Sequence, residues 1–385
     1  MIHLNSAGQG RMPEAARTVL TECVRLEDRY GAHELEEHVG DVVHGEIHQR
    51  LARLLHAPDG HTELFTSGAA AFDALVSGLS LGRGDRIWTT PYESAAHLTT
   101  LRALRDRTRC RLEVVPLRSD GDLDVAWMAA HIDDDVALVS VAHVPATRGL
   151  VNPVEEIGRV LAPYRCLYAV DAAYSLGQLP VDTARIGCHL LTGDGWRFLR
   201  GPRRVGFAHV APRLRAELSR AEPRVEESGT GVFAHAVPEP VPATAAVAAL
   251  HAALAEHAAA PSAPHEELIP ALRAAVETVP GIETLTPGSR QSAILAFHHP
   301  GLPAALIRRS LAERGVSVWK TVADETPLLP RPGAGATALR ASVDHGTTRQ
   351  DIDRFAAALA EAVTDARAYR PAPWTRGPRA VSAGL

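Results

Sequence analysis

A doubly wound, mainly parallel α/β sheet followed by a smaller α+β domain is the fold this sequence predicts, on three observations. Short apolar strands alternate with helices from Thr62 to His209, which is the rhythm of βαβ crossovers. Two of these strands, Leu138–Val141 and Leu167–Val170, carry no charge, as expected where helices cover both faces of a parallel sheet. After a stretch holding Pro238, Pro240 and Pro242 the rhythm changes to an Ala-rich helix and then to mixed helices and strands.

Taken in order, apolar residues at helical spacing predict helices over Ala15–Leu26 and His44–Leu55,. Thr62–Thr66 reads as a strand, and Ser67-Gly68-Ala69-Ala70 opens a helix running to Leu79, whose N-terminus can hold an anion,. Strands then follow at Arg86–Thr89, Leu112–Val115, Ala137–Ala142, Leu167–Val170, His189–Thr192 and Gly206–His209, with helices at His97–Arg105 and Val154–Leu161 between them. The Ala-rich helix covers Ala243–Ala258. The second domain reads as helix Glu266–Thr278, strand Ala293–His298, helix Pro303–Arg314, strands Val316–Lys320 and Ala338–Val343, and helix Arg349–Thr364. This divides the chain into a large domain over residues 1–258, a small one over 259–370, and a disordered tail over 371–385,.

At 46% apolar and 22% charged residues the composition is that of a globular protein with a large core,. A formal charge of -5 with both signs interspersed leaves no basic face for a phosphate backbone, so nucleic acid is not an expected partner,. No signal peptide or membrane-spanning run is evident, and a cytoplasmic location is expected,. The four cysteines (Cys23, Cys110, Cys166, Cys188) form no C-x-x-C pair and are expected to be buried apolar residues,. His44 and His48 share a helix face but lack a third ligand, so no metal is expected,. Lysine occurs once, at Lys320. Only Lys320 and the α-amino group could form an imine with an aldehyde cofactor, because guanidinium stays protonated.

Two long segments carry a resemblance. Val170-Asp171-Ala172-Ala173-Tyr174-Ser175-Leu176-Gly177-Gln178-Leu179-Pro180-Val181-Asp182, continuing to Arg200-Gly201-Pro202, and Ala142-His143-Val144-Pro145-Ala146-Thr147-Arg148-Gly149 resemble signatures of the class V aminotransferase superfamily. That superfamily has the fold-type I pyridoxal-phosphate (PLP) transferase fold and includes cysteine desulfurases, isopenicillin N epimerase-like proteins and ergothioneine-type C–S lyases. The resemblance runs from Leu4-Asn5-Ser6-Ala7-Gly8 to the last helix.

It implies a rebuilt pocket. The position of the cofactor lysine falls on Arg197. The former phosphate positions fall on Ala69, Ala70, Asp194 and, from the partner subunit, Val237. An aspartate ~4 Å from a phosphate repels it by roughly 4 kcal/mol per unit charge at an effective dielectric of about 20. Each lost hydroxyl donor to a charged acceptor removes about 1.5–3 kcal/mol more. On this reading the pocket disfavours PLP and no cofactor is expected. Asp171 matches the carboxylate that faces the pyridinium nitrogen, and an alternative role for it is to cap a neighbouring turn. Tyr174 and Thr147 replace the usual Gln and Asn, and Arg340 matches the arginine that forks a substrate carboxylate,. The loop Thr321–Pro327 lacks the desulfurase cysteine.

The expectation is therefore an enzyme of small-molecule, specialised metabolism acting without PLP on an amino-acid-derived or other carboxylate. Asp194, Arg197, Asp171 and Tyr174 are its catalytic candidates, and Arg340, Thr147, Trp196, Tyr92, His345 and Lys320 its substrate contacts. His97 and Asp344 fall in segments bordering the same cavity. Two alternatives remain open: a non-catalytic subunit partnering an active paralogue, and an aminotransferase-, lyase- or epimerase-like enzyme holding PLP or its amine form without a covalent link. A homodimer is expected, with residues 233–238 completing the neighbour's pocket.

Overall fold

A computed structural model describes residues 1–57, 61–221, 242–259, 265–321, 323–329 and 337–369. The expected tail over 371–385 and the segment 233–238, with Val237, lie outside the described residues. The chain begins with a short strand β1 (Ile2–His3). Seven strands then build the large sheet: β2 (His61–Phe65), β3 (Arg86–Thr89), β4 (Arg111–Val114), β5 (Val136–Ala142), β6 (Leu167–Asp171), β7 (Leu190–Asp194) and β8 (Gly206–Val210). Their order is β2-β8-β7-β6-β5-β3-β4. Only β8 runs against its neighbours, while β3 through β7 are parallel, so the predicted fold class holds.

The uncharged strands are where the packing is densest. Val139, Val141, Val170 and Leu191 enter one core with Trp88 and Leu250. Leu138, Leu167 and Leu190 enter another on the opposite face with Phe72 and Leu75. Both faces of the sheet are thus covered, which explains why these strands show no polar alternation. The helix Gly68–Ser77 starts because Ser67 accepts the Ala70 amide as its N-cap,. Its start lies hard against β8, since a Cβ on Gly206 would stand 2.2 Å from the Ser67 carbonyl carbon. Glycine at 206 is what lets the helix N-terminus reach the ends of β7 and β8.

The C-terminal sheet has four antiparallel strands in the order β12-β13-β10-β9, from β9 (Glu283–Thr284), β10 (Ile294–His298), β12 (Trp319–Thr321) and β13 (Ala338–Ser342). A separate pair joins β1 to β11 (Val316–Ser317) in parallel. Two differences from the sequence reading come from this pair. The single strand expected over Val316–Lys320 is split at Val318, because its first half pairs with the N-terminus and its second with β13. The N-terminal segment, grouped above with residues 1–258, packs Ile2, Leu4 and Ala7 into the core formed by Leu295, Leu339 and Phe355. Among the described residues, no helix is long and apolar enough to cross a membrane.

Candidate active site

The carboxyl ends of β6 and β7 meet the N-terminus of helix Gly68–Ser77, and the sequence places Asp171 and Asp194 at those ends. Ligands bind at this edge of open α/β sheets because the strand ends and helix starts leave a crevice there. Asp194 is buried and fully engaged. One oxygen accepts the Gly68 amide at 2.9 Å and the other accepts Nε of Arg197 at 2.9 Å. A carboxylate at a helix N-terminus is favoured by the macrodipole and by the unpaired amides of the first turn. Arg197 also donates through Nη1 to the Ala7 carbonyl at 2.7 Å. Its guanidinium carbon lies over the Tyr174 ring, 3.8 Å from the centroid, with the Trp196 ring at 5.7 Å.

Asp171 accepts the Ala173 amide at 2.9 Å. Burial pushes its carboxyl above the ordinary range, and His97 and the Ala173 amide oppose that rise. Tyr174 follows three residues later and is shared by a second cation: the Arg340 guanidinium stands 5.5 Å from the same ring. Arg340 is 3% exposed. It donates through Nη1 to the Ala146 carbonyl at 3.0 Å, while its Nε has no hydrogen-bond partner. Among the described residues its guanidinium has no carboxylate partner. Arg197 is neutralised by Asp194, so Arg340 is the buried cation that still calls for an anion.

The other predicted residues divide. Thr147 is buried beside Arg340's loop contact, its hydroxyl 3.1 Å from that of Thr326. Trp196 is buried and stacks on the arginine. Ala69 and Ala70 lie in the first turn of the helix, with the Ala70 amide committed to Ser67. Tyr92 does not join the cluster: it is core, and its hydroxyl donates to the Gly121 carbonyl at 2.6 Å. His345 packs edge-on against His257 at 5.7 Å, and Lys320 is half-buried on β12 opposite Leu339. One residue escaped sequence reasoning altogether, the buried Glu93, which meets the His97 ring nitrogen Nδ1 at 3.4 Å. The Glu-x-x-x-His spacing across a helix start was the available signal.

Relatives give this arrangement a context. A probable cysteine desulfurase of Halobacterium salinarum is 27% identical, covering 94% of this chain and 91% of its own. Other relatives match over about half their length, such as the cysteine desulfurase IscS of Enterobacter sp., 30% identical over 53% of this chain and 52% of its own. The solved apo cysteine desulfurase from Thermococcus onnurineus superposes with a TM-score of 0.80 at 19% identity, covering 94% of this chain and 95% of its own. A lysine-to-alanine mutant of C-DES with glycine covalently linked to its PLP cofactor superposes with a TM-score of 0.78 at 22% identity, covering 94% of this chain and 96% of its own.

These relatives overturn the expectation that the pocket takes no cofactor: PLP is the cofactor to be expected in this family. Positions 69, 70 and 194 carry fewer side-chain donors than the family pattern, which is a loss to a phosphate. The anion-holding helix start read from Ser67-Gly68-Ala69-Ala70 was not set against that loss, and its backbone amides remain whatever side chains the turn carries,. The residues present accept such a group in part. Asp171 offers a buried carboxylate to a ring nitrogen, and the helix start at Gly68 faces the phosphate position, although the Gly68 and Ala70 amides already donate to Asp194 and Ser67. With the class-V aminotransferase family pattern matching residues 13–355, across both sheets and every residue of this cluster, the chain belongs to the Aminotransferase class-V family.

Proposed function

We propose that the chain is an enzyme acting on an amino-acid-like carboxylate, with PLP or its amine form, pyridoxamine phosphate (PMP), held in the pocket without a bond to lysine. The observation that carries this reading is Arg340, a buried guanidinium beside Tyr174 with an unpartnered Nε and, among the described residues, no carboxylate of its own. A planar fork in that state suits a substrate carboxylate better than a structural ion pair. Arg197 stands where the resemblance puts the family's lysine, and a guanidinium supplies no neutral amine. The C-DES mutant, in which a lysine is replaced by alanine, carries glycine covalently linked to its PLP cofactor.

When bound, PLP supplies an electron sink for bonds at the carbon next to the substrate nitrogen. Asp171 would face its ring nitrogen and the helix start at Gly68 its phosphate. Arg340 orients the substrate, Thr147 and Trp196 wall the pocket, and Tyr174 with Asp194 are the groups able to hold or move a proton there. Persulfide chemistry is not part of this reading. All four cysteines are buried, and burial pushes the thiols of Cys166 and Cys188 up to about 11 and about 12. A lyase- or transaminase-type conversion of a small amino acid fits the groups present.

The test is to titrate the purified chain with PLP and with PMP, following absorbance and equilibrium dialysis. Reversible binding that dialysis removes, with no borohydride-fixed adduct on the protein, is the expected result. Failure of both compounds to bind would remove the reading, and a borohydride-stable pyridoxyl group on Lys320 would replace it with a covalent one. We also infer a homodimer, as the resemblance to the class V aminotransferase superfamily implies. Such interfaces bury more than ~2,000 Å² and survive dilution, so light scattering at micromolar concentration should give the dimer mass, and a monomer would exclude this arrangement.

A further inference from the structure

Beneath Asp171 lies a second layer of buried charge. Glu93 is 0% exposed. It accepts from the Ser140 hydroxyl at 2.7 Å, the Thr89 hydroxyl at 3.2 Å and the Ser94 amide at 3.2 Å. A carboxyl group receiving three donors is built to be an anion, since a protonated one would give up an acceptor site. Four residues on, the His97 ring is fixed by stacking on Phe72, with centroids 3.8 Å apart and planes 9° from parallel. Its Nδ1 stands 3.4 Å from Glu93 Oε1, an ion-pair distance without hydrogen-bond alignment.

From the other elements packed around it, His97 faces Asp171 at the end of β6 and Asp194 at the end of β7. Asp171 in turn faces Glu93, Asp194 and the Arg197 guanidinium. Three carboxylates thus share this cluster with one permanent cation, Arg197, which Asp194 and Asp171 face directly. A neutral His97 would leave two unbalanced negative charges under the pocket, and a charged one leaves a single negative charge. Buried charges are tolerated where they are matched.

We propose that the Glu93–His97 pair is a positioning device for Asp171, in which an imidazolium held by Glu93 opposes protonation of Asp171 and so readies it to face a ring cation. The ring-cation clause rests on the pocket being a PLP or PMP site; the state of Asp171 does not. Directions of titration agree with the geometry for the pair, and at Asp171, which burial pushes above the ordinary carboxylate range, His97 opposes the rise. Burial pushes His97 down, but Asp171, Glu93 and Asp194 together hold it above the ordinary histidine range. Burial pushes Glu93 up, but His97, Ser140 and the Ser94 amide bring it below the ordinary carboxylate range. His97 acts through Asp171 and is a positioning residue.

The test reads protonation directly in the purified full-length chain, labelled with carboxyl-13C aspartate and ring-15N histidine. In the unmodified chain at pH 7, the His97 nitrogens should show the imidazolium shift, and a neutral ring would overturn the proposal. In His97→Phe, which keeps a flat ring on Phe72, the Asp171 midpoint should rise by ~1 pH unit or more, with Asp171→Asn assigning the resonance. In Glu93→Gln, the His97 midpoint should fall by a similar amount. An unmoved midpoint in either folded variant overturns the pairing, and where His97→Phe does not fold, His97→Gln carries the same reading. None of these readings needs a cofactor. Should PMP fail to bind while the midpoints move, the proposed function falls and this assignment stands; PMP binding with unmoved midpoints gives the reverse.

Discussion

Arg340→Gln is expected to weaken binding of a carboxylate ligand by about 10²–10³-fold, because a bidentate guanidinium–carboxylate pair loses two charge-assisted hydrogen bonds of ~1.5–3 kcal/mol each, partly replaced by the amide. Arg340→Lys should lose about tenfold, since the charge survives and the planar fork does not. The arginine's structural work is small by comparison: one bond to the Ala146 carbonyl and contact with the Tyr174 ring. Thermal stability should therefore fall by only about 1 kcal/mol in either variant. L-alanine and L-cysteine, titrated into the PMP-loaded chain by calorimetry, are suitable probes. Affinity unchanged in Arg340→Gln, with the fold intact, would make this arginine structural and remove the substrate anchor.

The second large effect belongs to Asp194. Asp194→Ala strips the partner from Arg197, whose side chain is 16% exposed against 6% for the aspartate. Removing one member of a buried ion pair leaves an uncompensated charge and costs roughly 3–5 kcal/mol. It also leaves the Gly68 amide without its acceptor at a helix start. The double variant Asp194→Ala with Arg197→Met should recover most of the loss, because the stranded charge is then gone and the methionine still covers the Tyr174 ring. Urea unfolding of the three proteins separates the cases. A single variant as stable as the parent would show that the pair is solvated, and the account of a filled anion position at the helix start would fail. The same single variant frees the Gly68 amide, so it should bind PMP more tightly wherever the fold survives.

Much of this molecule was legible in the sequence, for identifiable reasons. The strands Arg86–Thr89 and the helix Val154–Leu161 were read to the residue, because their apolar runs end at turn residues on both sides. Asp171, Tyr174, Asp194, Arg197 and Arg340 were named together from the resemblance; the fold sets both guanidinium groups against the Tyr174 ring and bonds Arg197 to Asp194. The expected charge-assisted bond of Arg197 is made to Asp194. Tyr92 was misplaced because a tyrosine near a strand end looks the same whether its hydroxyl faces a cavity or, as here, a carbonyl in the core.

What the chain alone determined is the local grammar: strand and helix periods, the Ser67 cap, an arginine at 197 with Lys320 the sole lysine, and the glycines that let the elements approach. What only the tertiary structure decided is pairing across distance. Whether Val316–Lys320 is one strand or two depends on the N-terminus 314 residues away, and whether Asp194 repels an anion or takes its place depends on how closely Gly206 lets the helix start approach. Glu93 reads as an ordinary surface acid until burial and three donors make it a fixed charge. Propensity and period act over a few residues, whereas burial and electrostatics act between residues that only the folded chain brings together.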